Sequence, residues 1–170
     1  MTIAARYGDL FQMSYITRDL DAAMDHCRRE LGVTHFDTSE SEVEVLSFGT
    51  VRPLRIRAAF ANIGRHQLEL IQPVSGAVEI YTDEVDLDAQ IITYHHIAIA
   101  VRGPHAEWLK LLDEVKASGD EFAYLFPPVS SPDDKVCFCY VDTRKRLGHY
   151  TEYLWIDEAL KPMPAMPDLD

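Results

Sequence analysis

Two His-x-x-Glu patterns have residue types and spacing that could do chemistry. They are His66 with Glu69 and His149 with Glu152, in the stretches HQLELIQ and HYTEYLW. Each glutamate lies in an alternating run of apolar residues, which indicates a β-strand with one buried face. A buried carboxylate is costly unless it is paired or bound to a metal, so the pattern favours a metal site over a purely structural strand.

The two patterns belong to an internal repeat. The glutamates are 83 residues apart, and aligning the first strand of each half on its helix pairs Gln12 with His96, 84 residues apart. Because these two offsets agree within one residue and both halves have the same order of elements, the sequence predicts a duplicated module. Strand alternation puts Gln12, Glu69, His96 and Glu152 on the face away from the helices, where a curled sheet would point them into one cavity.

One divalent cation would relieve the repulsion between two carboxylates that share a cavity. An imidazole, an amide oxygen and two carboxylates form a mixed nitrogen and oxygen set that suits Zn, Ni, Co, Mn or Fe. We therefore predict one divalent metal ion held by Gln12, Glu69, His96 and Glu152. Taken singly, each residue has an ordinary alternative as a solvent-facing or hydrogen-bonded side chain, and the repeat is what favours the metal site.

The elements that must position these residues have the order β-α-β-β-β twice. Strands are predicted at 11–17, 42–49, 54–61, 66–72, 94–101, 121–129, 135–142 and 149–155, and helices at 18–32 and 104–119. We expect an α+β fold in which two βαβββ modules, 8–80 and 91–157, form a curved mixed sheet around a metal cleft. The acidic stretch 73–90 is predicted to be a solvated connector, and 158–170 a surface tail.

Composition restricts the possible partners. A net charge of -12 disfavours nucleic acid and anionic membranes, and no apolar run approaches the roughly 20 residues that span a bilayer. The sparse cysteines, Cys27, Cys137 and Cys139, indicate reduced thiols, and no secretory signal is recognised, so a cytoplasmic location is expected. Cys137 and Cys139 could chelate a metal together, although core packing is the favoured interpretation.

The chain resembles the vicinal oxygen chelate superfamily, which includes glyoxalase I, methylmalonyl-CoA epimerase, extradiol dioxygenases and bleomycin resistance proteins. ITRDLDAAMDHCRRELG resembles its V-x-D-L-D-x-A-x-x-F-Y-x-x-x-L-G opening, HHIAIAV the start of its second module, and LELIQP and HYTEYL its ligand-bearing strands. The resemblance covers roughly residues 8–157. His26-Cys27 replaces a common aromatic pair and DTRKRLGH replaces the usual D-P-D-G hairpin, so we transfer no named substrate.

The resemblance implies a metal-dependent isomerase, epimerase or lyase that acts on a small molecule, and it implies a homodimer. The implied reaction is proton transfer on a carbon next to a carbonyl, through a metal-bound enediolate. Glu152 is the expected base, and Glu69 is expected to return the proton. Tyr150 and Arg57 are predicted to contact substrate, with core packing and a solvated strand face as their respective alternatives.

Two other functions stay open at this point. A metal-free small-molecule binding or resistance protein is disfavoured by the ligand set. An extradiol-type dioxygenase needs two histidines and one carboxylate around Fe(II), and Gln12 stands where its first histidine would be. The sequence also leaves open whether the two modules pair within one chain or across a homodimer. His95, beside His96, is expected to face the helix layer.

Overall fold

The computed structural model describes residues 4–83 and 85–160, and its strands form one closed sheet. The strands are β1 (Gly8–Ile16), β2 (Asp37–Ser47), β3 (Thr50–Ile63), β4 (His66–Gly76), β5 (Thr93–Val101), β6 (Phe122–Phe126), β7 (Val136–Val141) and β8 (Tyr150–Ile156). Around the closed sheet their order is β1-β4-β3-β2-β6-β7-β8-β5. Most of the predicted tail, 161–170, lies outside the described residues.

Two longer helices and several short ones accompany the sheet. They are α1 (Ala4–Tyr7), α2 (Leu20–Leu31), α3 (Glu79–Thr82), α4 (His105–Ala117), α5 (Arg144–Leu147) and a 3-10 turn at Glu158–Leu160. Asp19 caps α2 by accepting a hydrogen bond from the Ala22 amide at 3.0 Å, and Gly32 ends it with a φ of 69°. No helix in 4–83 or 85–160 is long and apolar enough to cross a membrane.

The sheet combines two units of the order β-α-β-β-β, which confirms the predicted α+β fold. Within each unit the first and last strands pair in parallel, β1 with β4 and β5 with β8. The two units join through antiparallel pairing of β1 with β5 and of β2 with β6. In this structure the two units of one chain pair with each other.

Each long helix covers one part of the outer surface of the sheet with its apolar side. α2 places Leu20, Ala23 and Cys27 against Leu68 and Leu70 of β4. α4 packs against β5, β7 and β8 in a cluster that includes Ile99, Trp108, Leu111, Val115, Cys137, Cys139 and Trp155. The inner face of the sheet surrounds a central cavity, where Gln12, Glu69 and Glu152 lie among mainly apolar side chains.

The stretch 73–90 is a correction to the sequence analysis, because part of it is buried. β4 continues to Gly76, and α3 follows with Ile80 and Tyr81 in the core beside Ala77. These three apolar residues have the i, i+3, i+4 spacing of one helical face, so they pack together although their neighbours in sequence are acidic. Their cluster includes Tyr124, so α3 packs against the second module.

Two β-bulges interrupt the alternation of the strands that carry predicted ligands. In the β1–β5 register, Phe11 is an extra residue before Gln12, and His95 is an extra residue before His96. A bulge lets consecutive side chains approach the same side of a strand, and bulges are common beside active sites. Both Phe11 and Gln12 line the central cavity. The expectation that His95 faces the layer of the long helices is wrong, because it is absent from the core beneath α4 and its ring lies between His96 and the Ile80 carbonyl of α3.

Candidate metal centre

Three of the four predicted ligands converge inside the closed sheet. Glu69 comes from β4, His96 from β5 and Glu152 from β8. The Nε2 atom of His96 lies 3.4 Å from Oε2 of Glu69 and 3.2 Å from Oε2 of Glu152, and one ligand atom of each residue lies within 4.8 Å of the others. All three side chains are buried. A divalent cation could contact one atom from each residue.

Gln12 lies beside this group on β1. The strand register pairs it with Ala98 of β5, which in turn pairs with Glu152 of β8. The Gln12 amide nitrogen donates a 2.6 Å hydrogen bond to Oε1 of Gln67, which leaves the Gln12 amide oxygen available. Gln12, Glu69 and Glu152 line the same cavity. The four residues that the sequence selected are thus neighbours in the structure.

Unpartnered buried atoms support a cation at this place. Within the described residues, Gln12 Oε1, Glu69 Oε2 and His96 Nε2 are buried and have no hydrogen-bond partner. Glu69 Oε2 and His96 Nε2 make ion-pair contacts instead of well-aligned hydrogen bonds, and Gln12 Oε1 has neither; a buried polar atom without a hydrogen bond costs about 1–3 kcal/mol. Two are oxygen lone-pair donors and the third is an imidazole nitrogen, which is the donor set that a divalent transition metal accepts. The residues therefore fit the implied metal.

The charges in the site are strongly coupled. Burial lowers the pKa of His96, but contacts with Glu152 and Glu69 outweigh it and raise this pKa to about 9. Burial raises the pKa of Glu152, and His96 opposes that shift. In the metal-free protein His96 is therefore an imidazolium near neutral pH, and it must lose a proton before its Nε2 can bind a metal.

His95 orients the ring of His96. Its Nε2 lies 2.8 Å from the Ile80 carbonyl oxygen, and its Nδ1 lies 2.8 Å from Nδ1 of His96. A carbonyl only accepts, so His95 Nε2 carries hydrogen. Burial, followed by the neighbouring His96, lowers the pKa of His95 to about 3, so its Nδ1 is a free acceptor for the N–H of His96. In neutral His96 the Nε2 lone pair then faces the two glutamates.

The cavity beside the ligands has a volume of about 340 Å³ and mainly apolar walls. These walls include Phe11, Val43, Leu54, Ile56, Phe60, Phe126, Phe138 and Leu154, and no described arginine or lysine lines them. Tyr81 and Tyr140 also line the cavity, and their side chains share a hydrogen bond. Sequence reasoning missed both tyrosines. Tyr140 is paired with Glu152 across β7 and β8, and that register was the signal that could have identified it.

The predicted substrate contacts of Tyr150 and Arg57 lie outside this cavity. Tyr150 begins β8 and lines a separate cavity, where its ring packs 5.0 Å from the ring of His95. Arg57 follows the cavity-lining Ile56, so alternation turns it outward, where it donates to Gln72 at 3.1 Å. Neither residue lines the cavity beside the candidate ligands, so neither has a role in the proposed reaction.

A model of the glyoxalase/bleomycin resistance protein/dioxygenase superfamily matches residues 11–138, which are most of the chain. The chain belongs to the vicinal oxygen chelate superfamily. This match confirms the resemblance seen in the sequence. Members of this superfamily commonly use a divalent metal, and the family includes enzymes as well as non-enzymes. No curated relative matches this superfamily member by sequence.

Solved structures with the same vicinal oxygen chelate fold include several methylmalonyl-CoA epimerases. One, in complex with methylmalonyl-CoA and NH4+, is 17% identical, with a TM-score of 0.58 over 89% of this chain and 96% of that one. A Streptomyces coelicolor methylmalonyl-CoA epimerase variant in complex with 2-nitronate-propionyl-CoA is 18% identical, with a TM-score of 0.58 over 88% of this chain and 98% of that one. The Mycobacterium tuberculosis methylmalonyl-CoA epimerase is 16% identical, with a TM-score of 0.55 over 90% of each chain. At these identities the likeness shows the fold alone.

Proposed function

We propose that this protein is a divalent-metal-dependent enzyme that moves a proton on a carbon next to a carbonyl, as an epimerase or isomerase. The observation that carries the proposal is the buried convergence of Glu69, His96 and Glu152, in which Glu69 Oε2 and His96 Nε2 make ion-pair contacts but no hydrogen bond. Gln12 completes the proposed ligand set, with its free amide oxygen facing the same cavity. A lyase of the same superfamily would use the same first proton transfer.

The proposed chemistry divides between the metal and the chain. A divalent ion held by Gln12, Glu69, His96 and Glu152 would polarise a substrate carbonyl and make the neighbouring C–H more acidic. Glu152 takes the proton from that carbon with a carboxylate oxygen that is free of the metal at that moment, and its place in the cavity puts it beside the substrate. For an epimerase, Glu69, from the other module, would enter the step as the carboxylic acid and give its proton to the opposite face of the same carbon. The two glutamates would then have exchanged protonation states, and the reverse reaction restores them. The apolar walls exclude water, which keeps the transferred proton from being lost to solvent.

The walls of the cavity favour an uncharged, apolar group next to the reacting carbon. Phe60, Phe126 and Phe138 line it, and no described cationic side chain does, so a carboxylate placed against these walls would have no partner. The structural neighbours carry CoA esters in their complexes. We therefore propose a CoA thioester or a related 2-oxo compound with an apolar substituent as the substrate.

Solvent deuterium exchange tests this function. With metal-loaded protein in deuterated buffer and 2-methylbutyryl-CoA, an uncharged 2-methyl thioester, we expect deuterium to enter the carbon next to the carbonyl. Glu152→Gln should slow the exchange by about 100-fold or more, since the base is lost. Methylmalonyl-CoA, which adds a carboxylate, should exchange more slowly than the uncharged ester. Exchange that survives both metal removal and Glu152→Gln would contradict the proposal.

A metal-free binding protein is the second candidate. It is favoured by the contacts of His96 with the two glutamates, because an imidazolium between carboxylates can persist without a metal. That candidate predicts ligand binding that chelators leave unchanged, with no deuterium exchange. For either candidate, the homodimer and the cytoplasmic location stay predictions.

A further inference from the structure

A second group of potential ligands lies on the other side of the sheet from the metal cavity. His105 begins α4, Asp134 lies in the loop before β7, and Cys137 is the second residue of β7. Val136 and Phe138, on either side of Cys137, line the central cavity, so Cys137 faces away from it. The thiol is buried in the cluster beneath α4. This group therefore shares no residue with the proposed catalytic centre.

The three side chains meet at distances that suit one cation. Asp134 Oδ2 lies 3.8 Å from His105 Nε2 and 3.8 Å from Cys137 Sγ, and the third side of the triangle is 3.9 Å. The centre of such a triangle is about 2.2 Å from each corner, within the range of Zn–N, Zn–O and Zn–S bonds of about 2.0–2.3 Å. Without a metal, the 3.8 Å contact between His105 and Asp134 is too long for a hydrogen bond, and the two contacts of the Cys137 sulfur are at most weak ones.

Neighbouring contacts hold the three side chains in place. Asp134 Oδ2 accepts a 2.7 Å hydrogen bond from the Ser131 amide, and the Asp134 amide donates back to the Ser131 carbonyl at 3.1 Å. The His105 ring packs edge-on against Trp155, with ring centroids 5.0 Å apart. The side chains of His105 and Asp134 are 17% and 14% exposed, which leaves room for water as a fourth ligand. Such prior ordering lowers the entropic cost of binding.

We propose that His105, Asp134 and Cys137 form a second metal site, specific for zinc or a similar thiolate-binding divalent cation. A sulfur, an imidazole and a carboxylate are typical zinc ligands, whereas the proposed catalytic centre offers only nitrogen and oxygen. Burial raises the pKa of the Cys137 thiol to about 12, so the metal-free thiol is neutral and binding releases its proton. The bound ion would tie the start of α4 and the loop before β7 to the sheet.

Cobalt substitution tests this site by itself, because only thiolate ligation gives an intense sulfur-to-cobalt charge-transfer band in the near ultraviolet. The reduced, full-length chain is titrated with Co²⁺ alone. We expect the intensity of the band at saturation to correspond to one thiolate-bound cobalt per chain. The band should saturate near one equivalent in Glu152→Gln, where the proposed catalytic site is impaired, and it should be lost in Cys137→Ala. Cys139→Ala and Cys27→Ala are matched controls, because both remove a buried free thiol outside the group. They should keep the band.

Two further variants retain the Cys137 thiol, so they test the site even if Cys137→Ala fails to fold. His105→Gln and Asp134→Asn alter partly exposed side chains, and each should weaken cobalt binding, monitored by the band, by about tenfold or more. Absence of the band in the wild-type chain overturns the second site, as does a band that survives Cys137→Ala. Unchanged cobalt affinity in both His105→Gln and Asp134→Asn also overturns it. None of these outcomes depends on the activity of the proposed catalytic centre.

Discussion

At the scale of single residues, the orientation of His96 depends on a chain of hydrogen bonds. The Ile80 carbonyl accepts from His95, and His95 accepts from His96, so the other nitrogen of His96 faces Glu69 and Glu152. Metal-binding histidines commonly donate their second N–H to a fixed acceptor, which sets the tautomer and the ring angle. Here the acceptor is itself a histidine, kept neutral by its burial.

Removing this acceptor should weaken metal binding without removing a ligand. We expect His95→Ala to reduce the metal affinity by about 10–100-fold, because His96 loses the partner that fixes its tautomer. Affinity is measured by competition with a chromogenic chelator. His66→Ala is the matched control, since His66 is exposed at the start of β4. Equal affinities for wild type and His95→Ala would contradict the orienting role.

Metal binding should also depend on pH through His96. Its pKa is raised to about 9 in the metal-free protein, and only the neutral ring binds a metal. Below that pKa the ion must displace one proton, so the affinity should rise about tenfold for each pH unit until the pH approaches the pKa. Isothermal titrations of the Cys137→Ala chain, which lacks a ligand of the second proposed site, at several pH values and in buffers of different ionisation enthalpy measure the proton released. An affinity that is constant over this range contradicts the assignment.

At the scale of elements, two β-bulges and the short helix α3 position residues around the candidate site that strand alternation alone does not predict. The repeat and the period of two identified Gln12, Glu69, His96 and Glu152, because these residues occupy equivalent faces of equivalent strands. A bulge adds one residue to a strand without a recognisable sequence signal, so the position of His95 between His96 and the Ile80 carbonyl could not be predicted. α3 was missed because its few apolar residues lie within an acidic stretch.

The role of α3 in closing the core can be measured. Tyr81 is fully buried between the rings of Tyr124, Tyr140 and His95. Tyr81→Ala should lower the free energy of unfolding by about 3–5 kcal/mol, as for other large aromatic truncations. Tyr81→Phe should cost about 1 kcal/mol, since only a hydrogen bond is lost.

Urea denaturation gives both values for Tyr81. Val129→Ala is the control, because Val129 is 81% exposed and should change stability by less than about 0.5 kcal/mol. A loss for Tyr81→Ala as small as that of the control would mean that α3 does not belong to the folded core.

At the scale of the whole molecule, one chain supplies both halves of the site. Gln12 and Glu69 come from the first module, and His96 and Glu152 from the second. The long β1–β5 pairing joins the modules on the side of the ligands, whereas β2 and β6 share only two residue pairs. The sequence predicted both modules but not this pairing, because spacing alone does not distinguish pairing within a chain from exchange between two chains.

A metal that bridges the modules should stabilise the complete fold. At a free metal concentration 100-fold above the dissociation constant, binding to the native state adds about 2.7 kcal/mol. We expect added metal to raise the unfolding midpoint of the wild type more than that of Glu152→Gln. Calorimetry with and without a chelator measures both shifts. Equal shifts in the two proteins would show that the stabilising ion binds elsewhere.

The central claim is that Gln12, Glu69, His96 and Glu152 hold a divalent metal that the reaction requires. The most direct test is the metal content of the purified, reconstituted protein, measured by elemental analysis for wild type beside Glu152→Gln. The account predicts one divalent ion per chain more in the wild type than in the variant. Equal metal contents in the two proteins would contradict it and would favour a ligand-binding protein on the same fold.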